Sequence, residues 1–294
     1  MMTNLLGGAS GSDTFLSIDF SSFDASVSPS LSTSAFTWIG QMFQTGAISG
    51  FEDVVERFIN IPIHTPDGDY TGPHGVPSGS TFTNTVDSAV QWLIAEGAIQ
   101  NLSNRCQIQG DDGVYVLPRN EIDVLLGGFR DAGLKVNEDK TEVSSEYAFY
   151  LQRYYSRNYR ASGGGLGGVY PISRAANRLK YLERWVGLGE RTIDREFTGG
   201  QEDQISLREP LLGRDYFSLR AIMILENCKY HPAFFDLVKY AHSLDKYNLD
   251  FTKQGIDAFS RHIDPQARAG AMHRPSVSNI DKFETVKAIK QLGG

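Results

Sequence analysis

Between the runs Cys106-Gln107-Ile108-Gln109 and Gly113-Val114-Tyr115-Val116-Leu117 the chain has only Gly110-Asp111-Asp112 in which to turn. Alternating apolar residues on both sides of so short a link commit the segment to a β-hairpin with its acids at the bend. Adjacent carboxylates on a rigid turn suit a hard divalent cation, which takes oxygen ligands and leaves other positions to water and phosphate. An Asp-Gly hairpin by itself is an ordinary turn. The metal reading therefore depends on what else the chain brings to it.

About ninety residues upstream, Phe15-Leu16-Ser17-Ile18-Asp19 is an apolar strand ending in an acid, and Asp24 follows where the chain must already be turning. Between the two acidic elements runs Gly75-Val76-Pro77-Ser78-Gly79-Ser80-Thr81-Phe82-Thr83-Asn84, a small-residue loop leading into an amphipathic segment. An acid-tipped strand, a Gly/Ser loop opening a helix and a Gly-Asp-Asp hairpin, in that order, resemble the palm motifs A, B and C of viral RNA-dependent RNA polymerases. The likeness is to the polymerases of small double-stranded RNA viruses such as picobirnaviruses and partitiviruses. Downstream, Ala132-Gly133-Leu134-Lys135-Val136-Asn137-Glu138-Asp139-Lys140-Thr141 is similar to motif D. Phe149-Tyr150-Leu151-Gln152-Arg153-Tyr154 is similar to motif E, so the matched motifs span roughly residues 14 to 158.

The resemblance implies template-directed nucleotidyl transfer with two ions, Mg2+ or Mn2+, on Asp19 and Asp111, with Asp112 as a second or weaker ligand. Asp24 would face the incoming ribose and accept its 2′-hydroxyl. Reverse transcriptases share this palm but place a bulky residue near there, so Asp24 favours an RNA product. Ser78 and Thr83 would offer hydroxyls to the nascent pair or to Asp24, and Gly79 would let the loop bend. Four residues after the Thr the family usually has Asn; here that position is Asp87, with Asn84 next to the Thr. Either could contact the ribose, and Asn84 is favoured. Lys140 would protonate departing pyrophosphate, and Arg153 would help hold the primer strand or initiating nucleotide.

The implied architecture is α+β: a right-hand palm, an antiparallel sheet with helices on one face, followed by a mainly α-helical thumb. Residues 1–162 form the palm, with a remnant of fingers near 40–75, and residues 163–294 the thumb. Residues 1–13 are Gly/Ser-rich and expected to fray. Pro29 to Met42, Phe51 to Ile61, Val86 to Gly97 and Asn120 to Phe129 read as helices, His64 to His74 as a loop and Leu134 to Val136 as a strand. The run Ala161 to Gly168 reads as a hinge. Helices are expected over Ser173–Trp185, Tyr216–Asn227, Pro232–Leu244 and Thr252–Arg261.

Composition narrows the partners. The net charge is −7, with a pI near 5.4, which argues against wholesale coating of nucleic acid. Basic residues cluster instead from Arg153 to Arg191, interleaved with tyrosines, a pattern suited to an RNA backbone or to a solvated face. Cys106 and Cys228 lack partner spacing for zinc or a disulfide framework. No apolar run is long enough to cross a membrane and no signal peptide opens the chain.

The expected partners are RNA template and product, NTPs, and an amino-terminal fingers region or capsid protein, in host cytoplasm or virion interior. The fingers region is expected because the basic grip on the triphosphate (motif F) precedes motif A in this family, and few residues precede Asp19 here. Two rivals remain: a non-catalytic RNA-binding or assembly fragment of a polymerase, and a reverse transcriptase-like palm.

Overall fold

The computed structural model describes residues 2–9, 11–44, 49–161, 163–180, 213–263 and 277–293. The chain divides into two compact units, Met1–Gly167 and Gly168–Gly294.

The first unit is built on strands β1 (Asp13–Ile18), β4 (Cys106–Gln109), β5 (Asp112–Pro118) and β6 (Glu142–Ser144). The strands β2 (Ile63–Thr65), β3 (Gly68–Tyr70), β7 (Tyr147–Tyr150) and β8 (Arg153–Ser156) pair off as separate hairpins. The four-stranded sheet runs β4-β5-β1-β6 and is antiparallel throughout. Its helices are α1 (Met2–Gly7), α2 (Phe23–Ser26), α3 (Pro29–Gly40), α4 (Phe51–Asn60), α5 (Thr83–Ile99) and α6 (Arg119–Asp131).

Alternation along β1 and β5 sends successive side chains to opposite faces. Leu16, Ile18, Tyr115 and Leu117 face one core with Val86, Ala89 and Val90 of α5 and Ile122, Leu125 and Phe129 of α6. Phe15, Val114 and Val116 face a second core closed by Met2, Leu5 and Leu6 of α1 and by Ala148 and Tyr150 of β7. Both faces are therefore covered, one by helices and the other by α1 and the β7–β8 hairpin.

This corrects the expectation of a frayed amino terminus. The segment is rich in Gly and Ser, but Met2, Leu5 and Leu6 recur at helical spacing and bury against the sheet. Leu134–Val136 likewise makes only a single bridge, Phe20 to Val136, and the fourth strand is β6 instead. Within the expected loop 64–74 the chain forms most of the short hairpin β2–β3.

In the second unit the helices are α7 (Ile172–Lys180), α8 (Gly213–Glu226), α9 (Phe234–Leu244), α10 (Lys253–Ile263) and α11 (Glu284–Leu292), with a 3-10 turn over Val277–Lys282. Leu219, Ile222, Leu225 and Val238 are fully buried at their centre. The described unit is helical, as the periodicity predicts. The expected helix to Trp185 and the basic residues Arg184 and Arg191 extend beyond the described residues. Among the described residues no helix is long and apolar enough to cross a membrane.

Candidate active site

The β1–β5 register pairs Ile18 with Gly113 and Ser17 with Val114. Continued by one residue it sets Asp19 opposite Asp112, and directly opposed residues of an antiparallel pair share a face. Asp111 occupies the adjoining turn. The Asp19 side chain accepts a hydrogen bond from Asn137 Nδ2 at 2.9 Å, and Lys140 Nζ lies 3.9 Å from its Oδ2. Its backbone is fixed as well: the Asn137 N–H donates to its carbonyl and its own N–H donates to Thr141 Oγ1. The segment similar to motif D thus clasps the tip of β1. Burial, then the charges of Asp111 and Asp19, push the Asp112 carboxyl above the usual carboxylate range.

Helix α5 holds the turn. The Gly110 N–H donates to Ser88 Oγ at 2.7 Å, and Gln91 Nε2 donates to the Asp111 carbonyl at 3.4 Å. A side chain at Gly113 would stand 2.5 Å from Gln91 Nε2, so the absence of a Cβ there lets helix and hairpin close up. The sequence reading missed Ser88 and Gln91. The signal was present, since each stands four residues after Asn84 or Asp87, one helical turn along the same faces.

Asp24 lies on the one-turn helix α2, entered through Ser22 in the left-handed conformation (φ 52°). Its carbonyl accepts from the Val76 N–H at 2.8 Å, and a Cβ on Gly75 would fall 2.3 Å from that oxygen. This glycine allows the Gly/Ser loop to lie directly on α2. Ser78 Oγ then donates to Asp24 Oδ2. Gly79 has φ +95°, which L side chains rarely adopt. Thr83 Oγ1 donates to the Pro77 carbonyl within its own loop.

Asp87 is only 4% exposed. Burial, then the charges of Asp24 and Asp111, then a hydrogen bond with Asp24, raise its carboxyl to about 8. At neutral pH it therefore carries a proton and donates it to Asp24. Between Asn84 and Asp87, the side chain that reaches Asp24 is Asp87; the Asn84 amide lies against Gly110 instead. Asp24 accordingly collects two donors, Ser78 and Asp87.

Arg153 starts β8, in register with the buried Tyr150. The outer face of that hairpin carries Tyr147, Phe149 and Tyr154, whose rings lie 5.2–5.8 Å apart. Among the described residues no group of three or more His, Cys, Asp or Glu is close enough to hold a metal ion by itself. The acids that converge are hard oxygen donors, and their mutual repulsion fits a site that gathers cationic charge from outside the protein. Asp111 links two overlapping sets, Asp87 with Asp24 and Asp112 with Asp19, with Ser78 bonded to Asp24 and Lys140 near Asp19.

A family model described as viral RNA-dependent RNA polymerase matches residues 6–168. A potential RNA-dependent RNA polymerase of human picobirnavirus (strain Human/Thailand/Hy005102/-) is 27% identical over 95% of this chain and 52% of its own length. An RNA-directed RNA polymerase of Cryptosporidium parvum virus 1 (strain KSU-1) is 30% identical over 44% of this chain and 27% of its own length. Among solved structures, the RNA-dependent RNA polymerase of a human picobirnavirus superposes with a TM-score of 0.76 at 25% identity, covering 99% of this chain and 53% of that one. The chain spans about half the length of the picobirnavirus relatives it matches.

Proposed function

The chain belongs to the viral RNA-dependent RNA polymerases, and we propose that its first unit carries the palm chemistry of template-directed nucleotidyl transfer. One observation supports this above the rest. The β1–β5 register opposes Asp19 to Asp112 beside Asp111, and α5 grips that turn from behind. A hairpin kept only for stability has no reason to gather like charges at its tip.

Metal dependence is general in this family. Here Mg2+ or Mn2+ would be held by Asp19 and Asp111 with Asp112. When bound, the ions would offset charge on the phosphate oxygens and favour ionisation of the attacking 3′-hydroxyl. The protein's own groups then have separate tasks. Asp24, held by Ser78 and by protonated Asp87, presents a fixed acceptor to a ribose hydroxyl. Lys140 carries a proton that a leaving pyrophosphate oxygen can take. Asn137 keeps Asp19 in one rotamer. Arg153 meets the primer strand or initiating nucleotide, and Gly79 gives its loop freedom to follow the nascent pair.

In this reading residues 1–162 are palm with a fingers remnant near 40–75, and residues 163–294 are thumb. RNA and NTPs are the substrates. An amino-terminal fingers region supplies the cationic grip on the triphosphate. The assay is primed extension on an RNA template with NTPs and Mg2+ or Mn2+, using this chain together with such a fingers region. Incorporation lost in Asp111→Asn and retained in Glu146→Gln supports the assignment. Wild-type extension by Asp111→Asn overturns it, and a preference for dNTPs would favour the reverse transcriptase-like alternative.

A further inference from the structure

A groove bounded by α3, α5 and β4 lies outside the acidic site, and none of the chemistry above uses it. Its volume is about 540 Å3, within the roughly 300–1,000 Å3 usual for small-ligand sites. Along α5, Asn84, Ser88 and Trp92 follow at four-residue steps and form one stripe, while Asp87 and Gln91 form the next, turned to the carboxylates. Trp92 packs on Trp38 of α3, with centroids 5.2 Å apart and planes at 31°, and both indoles are half-buried. Among the described residues, no Asp, Glu, Lys or Arg lines the groove.

That neutrality disfavours a phosphate or a cation as occupant. Amides and hydroxyls beside indole surface suit a flat aromatic ring with donors and acceptors on its edge, which describes a nucleobase. The groove also starts at the acidic turn, because Asn84 lies against Gly110 and Ser88 takes its N–H. At the other end the loop before β4 holds Gln100, Asn101 and Asn104 at φ 61°, 53° and 66°, conformations that cost free energy and persist only where the surroundings fix them. Buried Leu102 anchors that loop.

We propose that this groove is a site for an unpaired base of single-stranded RNA, stacked on the Trp38–Trp92 pair and read at its edge by Asn84, Ser103 and Gln107. It rests on the RNA polymerase reading above and adds a contact outside the reacting position. A base held there would touch the same residues that hold the turn bearing Asp111.

The test uses the full chain with Trp185→Phe, which leaves Trp38 and Trp92 as its tryptophans. It is titrated with a single-stranded RNA of about 12 nucleotides and with an abasic oligomer of the same length and charge. Tryptophan emission and the anisotropy of a labelled RNA are read together. The expected result is saturable quenching by the RNA, at least tenfold weaker affinity for the abasic oligomer, and about a tenfold loss in Ser103→Glu without a change in melting temperature. Ser103 is exposed, so its replacement does not disturb the core. Trp92→Leu should lower RNA affinity similarly by anisotropy. Equal quenching by the abasic oligomer overturns the proposal. So does RNA binding that neither quenches nor responds to Ser103→Glu, and in that case the polymerase reading stands. Absence of any RNA binding overturns the proposal alone, since the polymerase reading is tested separately by primed extension with the fingers region. An emission change that depends on protein concentration without RNA means that a second copy covers the groove, which also overturns it.

Discussion

The two units treat their acids in opposite ways. In the helical unit Asp215 is 1% exposed and accepts from both the N–H and the Oγ1 of Thr252 at 2.8 Å, at the start of α10. Glu226, at the other end of α8, accepts from the N–H and Oγ1 of Thr285 at 3.0 Å, at the start of α11. Each carboxylate is a cap placed where a helix has unpaired N–H groups and a favourable dipole. In the sheet unit the acids face one another. Burial and then the charges of Asp24 and Asp111 raise the Asp87 carboxyl, and its Oδ1 has no hydrogen-bond partner among the described residues. Burial and then the charges of Asp111 and Asp19 push Asp112 upwards. Asp215 and Glu226 are each supplied with a pair of donors at a helix start, whereas Asp87 and Asp112 are set against other carboxylates.

The comparison breaks most sharply at Asp111. Asp111→Asn should reduce metal-dependent nucleotide addition about a thousandfold or more, since losing a ligand removes several kcal/mol of transition-state stabilisation. Stability should stay level or rise, because the charge that repels Asp112 and Asp87 is gone. Primer extension and a thermal melt on the same sample check both halves. A fall in melting temperature with activity intact would put Asp111 in the class of Asp215.

Asp215→Ala should do the reverse. It leaves the Thr252 N–H and hydroxyl without their acceptor inside the protein, and losing a charged hydrogen bond plus a helix cap costs about 3 kcal/mol. Denaturant unfolding reads the loss, and metal binding by the sheet unit should not change. Gly255→Ala is the companion, because a Cβ there would fall 2.3 Å from Asp215 Cγ and push the cap out of place. A melting curve identical to wild type for both variants would remove the clamp.

Asp87 supplies a pH test in chelator-containing buffer. Its folded carboxyl titrates near 8 against an ordinary value of 3.8. Between those values the folded chain binds a proton that the unfolded chain does not. Stability must then fall as pH rises from about 4 to about 8, by at most roughly 1.4 kcal/mol per pH unit from this group, and level off above. Asp87→Asn keeps a donor for Asp24 without needing that proton, so it should flatten the slope and be more stable than wild type at pH 7. An unchanged slope would mean that Asp87 is ionised in the folded chain.

How much of this is legible in the sequence follows the range of the interactions. The hairpin and Asp19 are, because a short link between alternating runs leaves no other pairing and an acid ending an apolar strand has few places to go. The helices of the second unit are too, each from its own periodicity, although Glu284–Leu292 went unread behind a polar stretch. That Asp87 rather than Asn84 stands beside Asp24 is not legible, for a different reason. Which stripe of α5 faces Asp24 is set by the phase of the helix, and that phase is fixed at a distance. The Val76 N–H to Asp24 link and the close approach of Gly75 bring the loop onto α2 before α5 begins. Residue spacing within α5 carries none of that. The amino-terminal helix escaped likewise, since its partners Phe15, Val114 and Val116 lie elsewhere in the chain.

The smallest expected effect is at Ser78. Its hydroxyl donates to Asp24, but Asp87 supplies a second donor. Ser78→Ala therefore loosens Asp24 without freeing it. A neutral hydrogen bond contributes about 1 kcal/mol net, so the ratio of NTP to dNTP incorporation should drop a few-fold. Template affinity, which comes from phosphate contacts, should be unaffected. The double variant Ser78→Ala/Asp87→Leu removes both donors and should cost more than the two singles combined, because only then is the carboxylate left to rotate. Strict additivity across that cycle, measured by competition between ATP and dATP on one template, would mean that Ser78 and Asp87 do not act through Asp24.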